Sequence, residues 1–295
     1  NTAARVPISP LGYYSIAMST KLSYSITYDP TGLSTKENDP ETNHLNQWEF
    51  VTSPESGIYY LRNRSALNYI TLVKNGSRAK AASSDIKDAV PFKLVLGEPG
   101  EFLIQRADDE NINLYNAALN YISGGASSAS AWWSFTMVDQ KPEVGTDGKC
   151  VLYRIQCLDN GKYLYKSEGS RFTKGRLATG MYESADDNSY WFYLVKGKEA
   201  GKYRIYNHAT MLPVTYSDSY YYVSKETDAP LEFSITVSDD NNGLVITGAE
   251  GAWSLAAGGY IGASSTEHSR FFLHKIGEVS DIEELYTPSL NNGVY

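Results

Sequence analysis

The sequence predicts an all-β protein, because a strand pattern recurs six times and tyrosine is unusually abundant. In each repeat of the 295-residue chain, an early strand is followed by a second strand and then by an aromatic-rich closing strand. Self-similarity at about 40 residues is typical of repeat architectures. The 24 tyrosines suit half-buried strands whose rims contact water.

The early and second strands show the alternation of a sheet with one buried face. The early strands are Tyr14-Ser15-Ile16, Tyr59-Tyr60-Leu61, Phe102-Leu103-Ile104, Tyr153-Arg154-Ile155, Tyr203-Arg204-Ile205 and Leu244-Val245-Ile246. The second strands carry the alternating pairs Leu22/Tyr24, Leu67/Tyr69, Ile112/Leu114, Tyr163/Tyr165, Leu212/Val214 and Trp253/Leu255. Residues that favour turns separate the two strands, as in Asp159-Asn160-Gly161. We find no long stretch of helical periodicity before residue 279.

The closing strands divide the six repeats into two groups of three. They are centred on Trp48-Glu49-Phe50, Phe92-Lys93-Leu94, Trp133-Ser134-Phe135, Trp191-Phe192-Tyr193, Phe233-Ser234-Ile235 and Phe271-Phe272-Leu273. The longest interval, between the third and the fourth, contains a polar segment rich in proline and glycine. Such a segment is typical of a linker. We expect Trp48, Trp133 and Trp191 to be core residues.

Three four-stranded units of about 40 residues predict a β-trefoil, since one unit cannot bury its apolar face and three together can. The segment Asn46-Gln47-Trp48-Glu49-Phe50 resembles the closing Gln-x-Trp-x-Phe element of the ricin-type β-trefoil family. The chain thus resembles two tandem β-trefoil domains, each of three four-stranded repeats. The predicted limits are a leader at 1–9, domains at 10–139 and 148–277, a linker at 140–147 and a tail at 278–295.

The net charge of the chain argues against two kinds of partner, and the spacing of its cysteines argues against a disulfide. The chain carries 26 basic and 34 acidic residues, a net charge of −8, so we expect neither nucleic acid nor an anionic membrane surface as a partner. No apolar run approaches the roughly 18 residues that would cross a bilayer. Cys150 and Cys157, at odd spacing on one predicted strand, point to opposite faces, which favours two free thiols over a disulfide.

The two ends of the sequence suggest a secreted protein. Because the chain begins at Asn1 without a methionine, we expect a mature or excised fragment. The segment Asn291-Asn292-Gly293-Val294-Tyr295 resembles the approach to the C-terminal sorting tail of secreted Bacteroidetes proteins. That resemblance implies export to the periplasm, the cell surface or the medium.

We expect no enzymatic activity. His44, His208, His268 and His274 lie in different repeats without metal-ligand spacing, and are interpreted as surface or rim residues. The acidic doublets, such as Asp108-Asp109, lie in turns, where aspartate is favoured for backbone reasons. No phosphate loop, calcium loop or nucleophile elbow occurs. The sequence therefore predicts no catalytic residue, no metal and no cofactor.

The ricin-type resemblance implies a sugar site built from a carboxylate, an aromatic ring and an amide side chain. Aromatic rings stack on the apolar C–H face of a sugar, and carboxylates orient its hydroxyl groups. The family's polar set is complete in no repeat, which casts doubt on a galactose site of the family's usual kind. The candidate residues are Asn46, Asp108, Asp109, Asn120, Tyr121, Trp132, Asp218, Tyr220 and Tyr221.

Strand parity separates exposed candidates from core residues. Trp132 has opposite parity to Trp133, so burial of one leaves the other exposed. Tyr221 likewise has opposite parity to Tyr220 and Tyr222, so at least one of the three rings is expected at the surface. We expect a carbohydrate-binding accessory module that targets a glycan or polysaccharide, attached to a catalytic domain of the same parent protein. Alternatives are a protein-interaction or spacer module and, less favoured, a protease-inhibitor trefoil.

Overall fold

The computed structural model describes residues 8–37, 43–145 and 149–279. Most of the predicted leader, part of the predicted linker and the tail motif lie outside these ranges. The described residues form strands and short 3-10 turns without an α-helix, which confirms the all-β prediction for this part of the chain. None of it forms a helix long and apolar enough to cross a bilayer.

The chain divides into two compact units. Unit 1 comprises Asn1–Lys141 with Asp240–Asn242, and unit 2 comprises Pro142–Asp239 with Gly243–Tyr295. The domain limits drawn from the sequence stay predictions.

Unit 1 contains twelve described strands, all joined in one sheet. They are β1 (Gly12–Met18), β2 (Lys21–Thr27), β3 (Ser34–Glu37), β4 (Gln47–Thr52), β5 (Tyr59–Asn63), β6 (Tyr69–Leu72), β7 (Lys80–Ser83), β8 (Phe92–Leu96), β9 (Phe102–Arg106), β10 (Asn113–Asn116), β11 (Ile122–Gly125) and β12 (Trp132–Gln140). Its 3-10 turns are His44–Asn46, Ile86–Asp88, Ala118–Asn120 and Ala129–Ala131.

Six strands of unit 1 form a closed ring, in the order β1, β4, β5, β8, β9 and β12, because β12 pairs back with β1. The hairpins β2–β3, β6–β7 and β10–β11 complete the three repeats, and bridges such as Ser34 to Tyr121 join them. Trp48 and Trp133 are fully buried in the core. Each indole Nε1 donates a 2.9 Å hydrogen bond to a hairpin carbonyl, which ties hairpin to barrel.

Unit 2 contains thirteen described strands, also joined in one sheet. They are β13 (Cys150–Cys157), β14 (Tyr163–Lys166), β15 (Leu177–Gly180), β16 (Phe192–Lys196), β17 (Lys202–Asn207), β18 (Leu212–Pro213), β19 (Thr215–Ser217), β20 (Tyr220–Tyr222), β21 (Phe233–Val237), β22 (Leu244–Gly248), β23 (Gly251–Leu255), β24 (Ile261–Ser264) and β25 (Phe271–Val279). Its 3-10 turns are Asn188–Tyr190 and Ala257–Gly259.

Unit 2 repeats the arrangement of unit 1. Strands β13, β16, β17, β21, β22 and β25 pair in that order, and β25 pairs back with β13. The hairpins β14–β15, β19–β20 and β23–β24 belong to the three repeats. Asp187 starts the turn before β16, where its carboxylate accepts from the Ser189 backbone N–H. This is the turn role that the sequence indicated for acidic doublets.

Five expectations about core positions are wrong. Leu22, predicted on the buried face with Tyr24, is 63 % exposed. Trp191 precedes β16 and is only half-buried, because Phe192 takes the core position and Trp253 supplies the buried indole of unit 2. Leu67 is not in a strand: its φ of 57° places it in the turn before β6. Of the pair Tyr163/Tyr165, Tyr163 is buried but Tyr165 is only half-buried, because Leu164, between them, is the fully buried residue. His274 is no surface residue; it is 6 % exposed, and its Nε2 lies 2.8 Å from Gln156 Oε1.

One position on the outer face of the barrel differs sharply between the units. Glu49 follows Trp48, lies opposite Arg62 on β5, and pairs with the guanidinium at 3.2 Å and with the Lys141 ammonium. Tyr193 follows Phe192, lies opposite Tyr206 on β17, and stacks on that ring at 5.2 Å. Both sites are buried, so the same place in the fold holds an ionic network in unit 1 and an aromatic cluster in unit 2.

The two cysteines are buried free thiols, as their odd spacing predicted. Both lie on β13, whose pairing with β25 contains a bulge between Leu152 and Tyr153. Burial raises the pKa of the Cys157 thiol to about 11. Such a thiol is chemically unreactive near neutral pH.

Candidate functional site

The acidic candidates of the third repeat have structural partners. Asp108 makes a two-pronged ion pair with Arg106, with Nε–Oδ1 and Nη2–Oδ2 distances of 2.8 and 2.6 Å. The Arg106 hydrogen bond lowers the pKa of this carboxyl below its usual value. Asp109 accepts from the Asn111 backbone N–H at 3.0 Å and shapes the turn between β9 and β10.

Asn120 and Tyr121 lie at the other end of the hairpin β10–β11. Leu119 and Asn120 have φ values of 61° and 59°, which turn the chain tightly before β11. Tyr121 is 39 % exposed, and the Arg78 guanidinium covers its ring at 3.9 Å. Arg78 also donates to the Gly32 and Leu33 carbonyls, so this pair links the hairpins of three repeats.

Trp132 is half-buried, while Trp133 is in the core, as parity predicted. Its ring covers Gly97, where a Cβ atom would come within 2.3 Å of the indole. Trp132 pairs with Leu103 near the start of β9, whereas Asp108 lies beyond the end of that strand. The structure therefore does not gather the candidates of the third repeat into one site.

Two candidates are core residues, so their selection as ligand contacts is wrong. Asn46 is 1 % exposed, and its Oδ1 accepts a 2.6 Å hydrogen bond from the Thr27 hydroxyl. Tyr221 is fully buried against Phe233 and Trp253, at ring distances of 5.8 and 5.3 Å, and burial raises its pKa. The alternation of side chains along the strand placed Tyr221 on the face opposite Tyr220 and Tyr222, but it did not show which of the two faces packs against the core.

The remaining candidates border a surface that the sequence did not reveal. Asp218 and Ser219, with φ values of 50° and 69°, form the exposed turn between β19 and β20. Tyr220 follows this turn and is half-buried. Its ring lies 4.1 Å from the Arg176 guanidinium carbon.

Strand β15 carries this surface. Ala178 of β15 pairs with Tyr165 on one side and forms a bridge to Tyr260 on the other. Directly paired residues of antiparallel strands point to the same face. We use the name "tyrosine face" for the side chains on that face of unit 2: Tyr165, Arg176, Tyr190, Tyr220, Tyr222 and Tyr260.

Small residues form the floor of the tyrosine face between two groups of rings. On one side, Tyr165 stacks on Tyr190 at 4.9 Å, and a Cβ atom on Gly180 would meet both tyrosines at 2.8 to 3.0 Å. Burial raises the Tyr190 pKa to about 12. Tyr260 lies on the other side of Ala178, about 10 Å from Tyr165 across two strand spacings.

Three tyrosines surround Arg176 on the second side of the face. Its guanidinium carbon lies 4.1, 5.2 and 5.7 Å from the ring centres of Tyr220, Tyr260 and Tyr222. Its Nε donates to the Tyr222 hydroxyl at 2.9 Å. In the described part of the chain, no carboxylate pairs with this guanidinium.

A signal for this face exists in the sequence. Tyr165, Tyr220 and Tyr260 flank small residues or turns on three hairpins, but residues so far apart along the chain show no common site until the hairpins meet. The described residues contain no group of three or more His, Cys, Asp or Glu side chains that could hold a metal ion. The groups that the tyrosine face offers to a ligand are aromatic rings, hydroxyl groups and one guanidinium.

No protein-family model matches the sequence, and a search of curated proteins finds no match. Among solved structures, the chain is similar to the Rhizoctonia solani agglutinin at 16 % identity and TM-score 0.38, over 45 % of this chain and 99 % of the other. The Polyporus squamosus lectin in complex with a Neu5Ac-containing epitope matches at 15 % identity and TM-score 0.38, over 43 % and 49 %. A mosquitocidal holotoxin matches at 13 % and TM-score 0.36, over 94 % of this chain and 36 % of the toxin. TM-scores this low carry no argument about function.

Proposed function

We propose that the two units are tandem β-trefoils and that the protein is a non-catalytic carbohydrate-binding module whose site is the tyrosine face. The fold proposal is supported by two closed six-stranded rings, each completed by three hairpins. A ring of this kind buries the apolar faces of three repeats together, and it leaves the hairpin surfaces free to carry binding residues.

The observation that carries the function is the placement of Tyr165 and Tyr260 on either side of Ala178. Ala178 itself is only 4 % exposed, so a ligand would stack on the exposed parts of the rings that flank it, and the C–H faces of sugars stack on aromatic rings. Tyrosine adds a hydroxyl group that can donate to, or accept from, sugar hydroxyls. Half-buried rings also lose little side-chain entropy on binding.

Titration of the full chain with a panel of mono- and oligosaccharides, followed by calorimetry, tests this proposal. Tyr260→Ala and Tyr165→Ala are expected to weaken binding at least tenfold while the circular dichroism spectrum stays unchanged. Tyr24→Ala is the matched control, because Tyr24 is also a hairpin tyrosine with a cation, Lys21, against its ring, but it belongs to unit 1. Loss of binding in Tyr121→Ala instead would move the site to unit 1 and contradict the assignment.

A protein-interaction module is the second candidate, favoured by Phe172. This side chain is 78 % exposed in the loop between β14 and β15, and aromatic rings are enriched at protein interfaces. If a broad glycan array shows no binding, and Phe172→Ala abolishes capture of a purified protein partner, this candidate replaces the first. Export, which rests on the tail resemblance, and attachment to a catalytic domain, which rests on the accessory-module interpretation, belong to the same proposal.

A further inference from the structure

Among the described residues, Arg176 has no acidic partner, although the protein has a net charge of −8. Two other arginines of unit 2 are paired with acids: Arg204 with Glu232 at 3.2 Å, and Arg270 with Asp159 at 3.5 Å. Arg176 forms no such pair among the described residues. Its contacts are instead three tyrosine rings and one phenol oxygen.

The tyrosines hold the guanidinium in one orientation without neutralising it. Nε is used by the Tyr222 hydroxyl, and no described acceptor is bonded to Nη1 or Nη2. A guanidinium presents its N–H groups in a planar fork that fits the two oxygens of a carboxylate or sulfate. Because the rings exclude part of the solvent, the attraction for an anion is stronger here than at an open surface.

A second cation lies on the same side of the face. The ammonium of Lys225 is 5.2 Å from the Tyr222 ring, and the side chain is exposed. Two cations therefore lie around the Tyr222 ring, and Glu226 follows Lys225 directly in the chain. The acid closest in sequence to Tyr220 on this hairpin is Asp218, whose Oδ2 accepts from the Ser217 hydroxyl at 3.1 Å.

Arg176 is also placed to act on the same ligand as the tyrosines. It immediately precedes β15, two residues before Ala178 along the extended chain, so both side chains share one face about 7 Å apart. An anionic group bound to Arg176 would thus lie beside a sugar ring stacked on Tyr260, whose ring centre is 5.2 Å from the guanidinium carbon. One oligosaccharide can contact both sites.

We propose that the ligand of the tyrosine face is an acidic glycan, whose carboxylate or sulfate group is bound by Arg176 with support from Lys225. This inference rests on the proposed carbohydrate-binding function and adds the class of glycan to it. The arginine selects the ligand through its charge and fork geometry, while Tyr165 and Tyr260 supply contacts that a neutral glycan would also make.

The test compares wild type and Arg176→Gln in calorimetric titrations with three forms of one oligosaccharide: neutral, carboxylated and sulfated. Wild type is expected to bind one anionic form at least tenfold more tightly than the neutral form, and to lose that preference in 0.5 M salt. Arg176→Gln is expected to remove the preference, so that the neutral and anionic forms bind with affinities within twofold of each other. The form preferred, carboxylated or sulfated, identifies the source of the anion.

The control variant is Arg171→Gln, which removes the same charge from an exposed position in the neighbouring loop and is expected to retain the preference. Arg176→Lys keeps the positive charge but loses the planar N–H geometry of the guanidinium, so a reduced preference for the anionic glycan is expected. If Arg176→Gln fails to fold, the preference measured for Arg176→Lys tests the proposal instead. Equal binding of neutral and anionic forms by wild type would overturn the acidic-glycan inference alone. Absence of binding to every glycan would overturn the carbohydrate-binding function as well.

Discussion

Glu49 and Tyr193 occupy the same place in the two units, yet one is a buried carboxylate and the other a buried phenol. Glu49 directly follows Trp48, and Tyr193 directly follows Phe192. Glu49 lies opposite Arg62 of the next strand, and Tyr193 lies opposite Tyr206. The fold therefore tolerates either an ion network or stacked rings at this position. Loss of one partner leaves an uncompensated charge in a buried ion pair, but an apolar cavity in a pair of stacked rings.

Removal of the Glu49 charge is expected to destabilise unit 1. Glu49→Gln removes the buried carboxylate that pairs with Arg62 and Lys141, and loss of one partner of a buried ion pair costs about 3 to 5 kcal/mol of unfolding free energy. Urea denaturation measures it. The control is Asp139→Asn, whose half-exposed carboxylate pairs with Arg64 and which should cost at most about 1 kcal/mol. Equal effects of the two variants would contradict the ionic interpretation.

Truncation of Tyr221 is expected to unfold unit 2 rather than to remove a ligand contact. Tyr221→Ala deletes a fully buried ring packed on Phe233 and Trp253, at a cost of about 3 to 5 kcal/mol. Tyr221→Phe should cost about 1 kcal/mol or less, since the hydroxyl makes only a 3.4 Å contact with the Gly251 carbonyl. Thermal denaturation compares the two. A folded Tyr221→Ala protein with impaired glycan binding would restore Tyr221 as a site residue.

Cys157 is expected to resist alkylation in the native state. With a thiol pKa raised to about 11 by burial, about one thiol in a thousand is ionised at pH 8, and the thiolate is the reactive form. Iodoacetamide at pH 8 should therefore label Cys157 slowly in buffer and rapidly in 6 M guanidinium, as peptide mass spectrometry can measure. Rapid native labelling would show that β13 opens more readily than its burial implies.

Acidification is expected to destabilise unit 2 partly through Glu232. Its carboxylate accepts from the Lys198 and Glu199 backbone N–H groups and from Arg204, and these hydrogen bonds, that of Lys198 first, lower its pKa. Because the folded pKa lies below the unfolded value of about 4.3, this stabilisation is present above pH 4.3. It is lost as the pH falls through the folded pKa. Glu232→Gln should therefore show a smaller fall in urea midpoint between pH 6 and pH 3 than wild type.

Periodicity predicted the strands but not which side of a hairpin faces the core. The period of two placed Tyr221 on the face opposite Tyr220 and Tyr222; in the structure Tyr221 is fully buried, Tyr222 is 6 % exposed and Tyr220 is half-buried. Periodicity could not identify Tyr221 as the fully buried member, since a hairpin that covers a barrel end has rings on both faces. The same ambiguity affected Tyr165, whose neighbour Leu164 is the fully buried residue. Burial on such hairpins depends on contacts with other repeats, which local sequence does not encode.

The candidate site was harder to predict because its residues come from three hairpins. Tyr220 was identified, but Arg176 and Tyr260 were not, because the position of Tyr260 beside a turn is shared by many tyrosines and its proximity to Arg176 arises from bridges between hairpins. Asp108 illustrates the opposite error. An acid in a turn looked available for a ligand, yet Arg106, two residues earlier, already neutralises it.

The return of β12 to β1 and of β25 to β13 has a consequence for behaviour in concentrated solution. Within these rings, every barrel strand has a neighbour on both sides, so its backbone amides offer no template on which a strand of another molecule could grow. Deletion of either last strand would expose two such templates at once. The shortened chain should then form fibrils or swapped dimers under conditions where the intact chain stays monodisperse.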